Sequence, residues 1–268
     1  MFRFILQLIY NMVISETGTS PDLSLRDRFP KLKEIRNDKY PEHVLIIPDG
    51  NGRYAAMFNR LPIFGHQNGL KVLESVLDEL FKLPINTITV WGFSSDNWKR
   101  SKEEIAALMK LFERTTNEVL PKLSEKNARL IHLGRKDRIP HLLRLALDKA
   151  EKATESNTGK RLCLAIDFGG EDQEVRIIQK AINAGYAADE ITPEVIKRLR
   201  DGNGTVNPAD LIIRTAGEQR TSDLGWLAKN AEFYPIPLPL PNTKIYHFIE
   251  AIVDYSKRER RFGGRPIK

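Results

Sequence analysis

From residue 43 onward, short apolar runs rich in β-branched residues alternate with segments of helical periodicity. Continuous apolar runs are typical of strands covered on both faces, and long crossovers join parallel strands. The sequence therefore predicts an α/β fold: a single domain with a central, mainly parallel β-sheet flanked by helices. The predicted strands are His43–Pro48, Thr87–Phe93, Arg129–Leu133, Arg161–Phe168 and Ala209–Arg214.

The segments between these runs carry helix signals. Ser101 followed by Glu104 matches a capping box and predicts the start of a helix. The apolar face of that helix, Ile105 to Phe112, is expected to be core, and the alternative is that it lines an apolar tunnel. Four other helices are predicted. One contains Leu70 to Phe81, one covers Leu142 to Thr154, and the last contains Ile245 to Val253. A short one follows the cap Thr192 and has Pro193 in its first position.

The two ends of the chain differ from this pattern. Residues 2–14 are mostly apolar, and the polar exceptions Arg3, Gln7 and Asn11 are spaced by four, as on one stripe of a helix. The run is shorter than the roughly 20 residues of a membrane span. It is expected to lie on a membrane surface or to pack on the protein or a partner. Residues 1–40 are thus predicted to be an amphipathic helix and a linker, and residues 41–268 the folded domain.

Charge and composition exclude several classes of protein. Hydrophobic residues are 41% and charged residues 29%, which excludes a polytopic membrane protein and a disordered chain. The net charge is +7, and Lys257 to Lys268 hold much of it, so the tail could contact nucleic acid, an anionic membrane or a phosphorylated substrate. One cysteine, Cys163, excludes an internal disulfide, and no secretory signal is recognised, so a cytoplasmic location is expected.

A glycine-rich cluster, Asp49-Gly50-Asn51-Gly52-Arg53, directly follows the first predicted strand. Glycines let the backbone approach a ligand, and a following helix would add a positive dipole end suited to phosphate. Arg53 could bind phosphate oxygens, and Asp49 could hold a magnesium ion that bridges them. The alternative is a plain tight turn, because Asp-Gly and Asn-Gly are common turn pairs.

Two further polar clusters follow other strands. Phe93 to Arg100 contains hydrogen-bonding groups and Trp98, which could wall a pocket, and Arg214 to Ser222 contains two arginines and resembles a second phosphate cradle. The first could instead be a polar strand-to-helix loop with a packed tryptophan, and the second a solvated charged loop. Carboxyl ends of parallel strands meet at one edge, where ligands bind in such sheets, so three clusters together favour a site. The candidates are Ser94, Ser95, Asp96, Asn97, Trp98, Arg100, Arg214, Arg220 and Ser222.

Two isolated residues are also candidates. His66 follows Gly65 at the start of a predicted helix and could donate to a phosphate or shuttle a proton. Glu232 precedes Phe233 and could be a second magnesium ligand. Each could equally be structural, His66 as a packed histidine and Glu232 as a strand-end carboxylate.

Six segments together carry a resemblance to a known family. They are His43–Arg53, Gly65–His66, Phe93–Arg100, Asp210–Arg220, Ala231–Tyr234 and Arg258–Gly264. The chain resembles the cis-prenyltransferases, or isoprenyl transferases, typified by undecaprenyl diphosphate synthase, from about His43 to Gly264. The resemblance implies condensation of isopentenyl diphosphate with an allylic prenyl diphosphate to form cis double bonds, with Mg²⁺ as cofactor. It also implies a homodimer. The diphosphate substrate would account for the charge of the basic tail, so no nucleic acid partner is expected.

The resemblance also implies roles for the candidate residues. Asp49 would bind magnesium and the allylic diphosphate, Glu232 would complete the metal site, and Asn97 would help to deprotonate the growing product. Arg261 to Gly263 would reach the neighbouring active site. The allylic diphosphate would be held by Gly50, Asn51, Gly52, Arg53, Tyr54 and His66, with Ser94, Ser95, Asp96, Trp98 and Arg100 nearby, and isopentenyl diphosphate by Arg214, Arg220 and Ser222.

The chain departs from the family pattern at several positions. Pro62 stands where an arginine is usual, with Arg60 close enough to substitute, and Tyr54 replaces a tryptophan. Asp167 replaces a common asparagine, and the stretch from Ser222 to Glu232 is one residue short. None of these changes touches Asp49, Asn97, Arg214 or Arg220. A non-catalytic partner subunit is the alternative, but such relatives have lost the aspartate cluster, which is complete here.

Overall fold

The computed structural model describes residues 24–264. Six strands form one parallel sheet in the order β3-β4-β2-β1-β5-β6. The predicted fold class is therefore confirmed, and β6 is a strand that the sequence analysis missed. The strands are β1 His43–Ile47, β2 Thr87–Ser94, β3 Arg129–Leu133, β4 Arg161–Phe168, β5 Leu211–Arg214 and β6 Glu232–Pro235.

The helices are α1 Leu25–Arg28, α2 Asn51–Met57, α3 Pro62–Leu80, α4 Lys102–Glu125, α5 His141–Ala153, α6 Gly170–Asn183, α7 Pro193–Leu199 and α8 Ile245–Lys257. Ser101 caps α4 by accepting a hydrogen bond from the Glu104 amide at 3.2 Å, and Thr192 caps α7 in the same way. Glu104 does not complete the predicted capping box among the described contacts, because its carboxylate bonds to Arg100 instead.

Apolar side chains on alternate residues of each strand fill a core on each face of the sheet. Val44 and Ile46 of β1 face a large core that α3, α4, α5 and α8 cover. Leu45 and Ile47 face a smaller core closed by residues 206–231. Cys163 lies in that smaller core, and burial raises the pKa of its thiol to about 12, so the thiol is not a nucleophile at neutral pH.

The described part of residues 1–40, for which a helix and a linker were predicted, packs on the folded domain. Residues 25–28 form α1, and Leu25, Leu32, Ile35 and Tyr40 are buried in the large core. The apolar residues are too widely spaced among charged ones to show a strand or helix period, which is why the pattern suggested a linker. The predicted amphipathic helix, residues 2–14, lies outside the described residues. No helix within residues 24–264 is long and apolar enough to cross a bilayer.

The order of the strands brings the three polar clusters together. The loops that follow β2, β1 and β5 carry the clusters, and these strands are neighbours at the centre of the sheet. Since all the strands are parallel, their carboxyl ends form one edge, which we call the carboxyl edge. A register shift at Phe93 disrupts the pairing of β2 with β4 just before that edge, as a β-bulge does.

Candidate active site

Asp49 lies at the centre of the carboxyl edge, two residues after β1. Its carboxylate accepts hydrogen bonds from the Gly50 amide at 2.7 Å and from Nη2 of Arg214 at 2.9 Å. The Asp49 carbonyl is held by the Thr215 hydroxyl at 2.7 Å and the Leu240 amide at 3.0 Å. A third of the side chain remains exposed. The carboxylate is thus rigidly placed and still accessible to a ligand.

Close packing fixes the glycine-rich turn. Gly50 adopts φ +91°, and a Cβ there would lie 2.7 Å from the Ala216 Cβ. A Cβ on Gly65 would lie 1.9 Å from the Asn51 carbonyl oxygen, so α2 and α3 contact each other through their backbones. The Asn51 side chain points inward, where its amide donates to the Pro48 carbonyl at 2.8 Å. Asn51 therefore supports the turn with its side chain.

The start of α2 offers unpaired donors. The first-turn amides of Asn51, Gly52 and Arg53 have no acceptor within the helix, as at every helix start. Arg53 reaches across to the loop after β5, where it donates to the Ala216 carbonyl at 3.2 Å and to Glu218 at 3.0 Å. These donors and the guanidinium form a cradle suited to an anion.

Arg214 is the buried basic residue of the site, with 6% of its surface exposed. Besides Asp49, it donates to the Arg220 carbonyl at 2.7 Å and to the Ser222 hydroxyl at 2.9 Å. The Arg220 side chain is 64% exposed and pairs with Glu218. Glu218 thus holds both Arg53 and Arg220, a role that sequence reasoning missed because a glutamate between arginines is common in solvated loops.

His66 forms a group with Glu104 and Arg100 at the side of the site. Its Nε2 lies 3.6 Å from a Glu104 carboxylate oxygen, which also accepts from Arg100 at 3.1 Å. Burial, reinforced by the positive charge of Arg100, lowers the pKa of His66 below its ordinary value. His66 is therefore a neutral hydrogen-bonding group at pH 7. Glu104 was expected only as a helix cap.

Asn97 lies in a 3-10 turn, Ser95–Lys99, that follows β2. Its carboxamide oxygen accepts from the Ser94 amide at 3.1 Å, and its NH₂ group has no hydrogen-bond partner among residues 24–264. Ser95 has a buried hydroxyl without a hydrogen-bond partner among residues 24–264. Asp96 is exposed and pairs with Lys99 at 2.6 Å.

These elements surround a cavity of about 560 Å³. A second cavity, of about 230 Å³ and mostly apolar, lies between α3, α4 and the sheet. The two share lining residues, including Leu73, Val90 and Phe112, so the polar cavity adjoins an apolar one. Phe112 was expected to be core, and the structure supports the alternative of a tunnel wall. The predicted residues that line the polar cavity are Asp49, Gly50, Asn51, Gly52, Arg53, His66, Ser94, Ser95, Asp96, Asn97, Arg100, Arg214 and Ser222.

Four predicted site residues do not line that cavity: Tyr54, Trp98, Arg220 and Glu232. Tyr54 stacks with Phe64 at a centroid distance of 6.1 Å, and Arg60 lies over Phe64 as well, so Arg60 does not replace the arginine missing at Pro62. Arg220 lies just outside, at the rim.

Glu232 is at the opposite edge of the sheet. It begins β6 in register with Leu211, whereas Arg214 pairs with Pro235, so three residues, or roughly 10 Å, separate Glu232 from the carboxyl edge. Its carboxylate accepts from Arg258 at 2.8 Å. The single chain thus does not bring Glu232 to Asp49. The sequence analysis did not recognise β6, so it did not show that Glu232 lies at the amino end of that strand.

A family model of prenyltransferases described as undecaprenyl diphosphate synthase matches residues 47–263. The chain belongs to this family. An isoprenyl transferase of Bacillus cereus is 35% identical over 87% of the chain and 92% of its own length. A ditrans,polycis-undecaprenyl-diphosphate synthase of Pasteurella multocida, specific for (2E,6E)-farnesyl diphosphate, is 37% identical over 86% of the chain and 98% of its length.

A solved member of the wider fold group gives the structural comparison. Lavandulyl diphosphate synthase from Lavandula x intermedia, crystallised with dimethylallyl diphosphate, matches with a TM-score of 0.79 and 29% identity. The match covers 84% of this chain and 99% of that one. The resemblance predicted from the six segments is therefore confirmed at the level of family and fold, and the family match spans all three clusters.

Proposed function

We propose that the protein is a cis-prenyltransferase that condenses isopentenyl diphosphate with an allylic prenyl diphosphate. The observation that carries the proposal is the polar cavity at the carboxyl edge, which adjoins an apolar one. Such a shape suits a ligand with a charged diphosphate head and a hydrocarbon tail. The head would face the arginines and the start of α2, and the tail would lie between α3 and α4.

Two diphosphate sites are proposed within the polar cavity. The allylic diphosphate is held by the first-turn amides of α2 and by Arg53, with neutral His66 as a further donor. Isopentenyl diphosphate is held by Arg214 and Ser222, with Arg220 moving in from the rim. Both bound diphosphates would compete with Glu218 for the arginines, so Glu218 is expected to release them when substrate binds.

Mg²⁺ is the proposed cofactor, with Asp49 as its protein ligand. Residues 24–264 contain no group of three carboxylate, histidine or cysteine side chains that could hold a metal alone. The partly exposed Asp49 carboxylate fits the usual Mg²⁺ arrangement of one or two carboxylates plus substrate phosphates. When bound, Mg²⁺ would supply charge neutralisation for the departing diphosphate.

The residues then divide the reaction between them. The C1–O bond of the allylic substrate breaks, and the arginines and amides at α2 stabilise the negative charge of the diphosphate that leaves. The C4 carbon of isopentenyl diphosphate bonds to that C1, and one proton leaves from C2 to set the cis double bond. Asn97, with its free NH₂ group, is proposed to orient the isopentenyl group for loss of that proton.

The test is an assay of the purified full chain with Mg²⁺, radiolabelled isopentenyl diphosphate and farnesyl diphosphate, followed by chromatography of the product. Longer prenyl diphosphates with cis double bonds are expected, and their pattern distinguishes chain elongation from head-to-middle coupling. No incorporation with any allylic starter would overturn the proposal and favour an accessory subunit. The complete and rigidly held segment Asp49 to Arg53 argues against that alternative.

Arginine substitutions should separate the two diphosphate sites. We expect Arg220→Ala to raise the KM for isopentenyl diphosphate, and Arg53→Ala to raise the KM for the allylic substrate. A charge-assisted contact is worth roughly 1.5 to 3 kcal/mol, which corresponds to about 10- to 150-fold. Steady-state kinetics with each substrate varied in turn gives the comparison. Equal effects of both variants on both substrates would contradict the two-site assignment.

A homodimer is the proposed assembly, and a stripe on α6 supports it. Val175, Ile178 and Ile182 are 53 to 69% exposed and follow the spacing of one helix face. Burying such a stripe against a second copy would remove apolar surface from water. Sedimentation equilibrium should give twice the chain mass, and Ile178→Lys should shift the protein toward monomer. A monomeric parent protein would reject the assembly.

Peripheral membrane contact is proposed as well. Its first support, the amphipathic pattern of residues 2–14, lies outside the described residues. The second is an exposed apolar group, Met57, Phe58 and Leu61, that directly precedes Pro62 of the cavity lining. It lies in a segment from Gly50 to Leu73 that has basic but no acidic residues. Co-sedimentation with anionic vesicles, with and without residues 1–14, tests the contact.

A further inference from the structure

Asp167 is a fully buried carboxylate that no step of the proposed reaction uses. It is the second-last residue of β4, with no exposed surface and a backbone φ of +55°. Its oxygens accept three hydrogen bonds. Trp98 donates its indole N–H at 2.8 Å, and Arg138 donates through Nε at 2.8 Å and through Nη2 at 2.6 Å.

The Trp98 indole links this carboxylate to the active site. Trp98 belongs to the same 3-10 turn as Asn97, and its ring packs edge-on against Phe93 with centroids 5.1 Å apart. Trp98 itself does not line the polar cavity, whereas its neighbours Ser95, Asp96 and Asn97 do. The contacts of the indole are therefore contacts of the turn that carries Asn97.

Arg138 completes the arrangement from the loop after β3. Its guanidinium pairs with Asp167 in a two-pronged contact, and the bond to Asp167 raises the pKa of Arg138. A buried carboxylate needs a counter-charge of this kind, because burial removes its hydration. The pair thus holds the Asp167 oxygens in front of Trp98.

We propose that Asp167 is a positioning residue that, with Arg138, anchors Trp98 and so holds the Ser95–Lys99 turn in place beside the substrates. The inference rests on the proposed function, since it assigns a task to the turn that carries Asn97. It explains why a carboxylate occupies this position. Trp98 and both arms of Arg138 need acceptors, and an asparagine offers one oxygen and an NH₂ group that would face the guanidinium.

Asp167→Asn is the matched substitution, since asparagine has the same shape and tolerates the left-handed backbone. We expect kcat to fall about 10- to 100-fold, the range for losing a charged hydrogen bond, with both KM values within a factor of three. Trp98→Phe should reproduce this split, and the double variant should be little worse than either single one.

A second readout does not depend on catalysis. Trypsin cleaves after Lys99 and Arg100, so limited digestion reports how firmly the turn is held. Cleavage there should be several-fold faster in Asp167→Asn and Trp98→Phe than in the parent. The control is Asp137→Asn, which removes an exposed carboxylate that pairs with Arg135 and does not line the cavity.

The outcomes separate the two proposals. Faster cleavage in both variants together with a fall in kcat supports the positioning role. Unchanged cleavage, or an equal change in the Asp137→Asn control, overturns it. The positioning role is also overturned if the fall in kcat comes with a lower melting temperature and with cleavage that is uniform along the whole chain. A parent protein without prenyl transfer contradicts the proposed function, while the digestion still tests the anchor.

Discussion

Replacing Asp49 with alanine is expected to lower kcat/KM by on the order of 10³-fold or more. The variant loses the carboxylate proposed to hold Mg²⁺ against the allylic diphosphate. Arg214 keeps its bonds to the Arg220 carbonyl and the Ser222 hydroxyl, so the loop after β5 should stay in place. Initial rates at saturating Mg²⁺ give the measurement.

Two comparisons make that result specific. Asp49→Asn retains an oxygen that can accept from Arg214 but loses the negative charge, so it should be nearly as inactive. Asp38→Ala removes an exposed aspartate that pairs with nearby Arg36 and does not line the polar cavity, and it should behave like the parent. If Asp49→Ala kept more than a tenth of the parent activity, the assigned role of Asp49 would be wrong.

The second large effect is on stability. Gly65→Ala should lower the free energy of unfolding by about 3 kcal/mol, or the melting temperature by roughly 6 to 12 °C. The added Cβ would lie 1.9 Å from the Asn51 carbonyl oxygen, and this contact is between backbones, so no side chain can rotate to relieve it. Differential scanning calorimetry measures the shift.

Gly52→Ala is the matched control for Gly65→Ala. It adds the same methyl group one residue into α2, where, apart from its chain neighbours and the backbone of its own helix, no heavy atom of the described chain lies within 4 Å. Alanine also favours a helix more than glycine does. Its melting temperature should equal or slightly exceed that of the parent, and a loss as large as that of Gly65→Ala would show that the close contact between α2 and α3 is not the cause.

The sequence predicted the parts of the fold that have a strong period. The five predicted strands formed because long β-branched runs separated by helical segments admit few other arrangements. β6 was missed because Glu232 to Pro235 is short, ends in proline and has no continuous apolar run. Strand order was also out of reach, since only the tertiary structure shows that β1 lies between β2 and β5.

The sequence predicted those residues of the candidate site that lie at or just after the end of a strand. Asp49, Asn97 and Arg214 are of this kind. Glu218 and Asp167 were not predicted, because their importance comes from pairing with distant residues, Arg53 in one case and Arg138 in the other. Tyr54 and Trp98 were placed on the ligand but pack on other aromatic rings, since sequence does not show which way a ring turns.

The junction of the polar and apolar cavities has a consequence for how the product leaves. Each condensation adds five carbons, and burying them contributes roughly 3 kcal/mol, so retention would grow about 100-fold with each cycle while space lasts. The far part of the apolar cavity contains Glu74, Lys122 and Lys126, where further carbon gains little. We therefore expect departure of the finished chain to limit turnover, and an acceptor phase such as detergent or bilayer to set the steady-state rate.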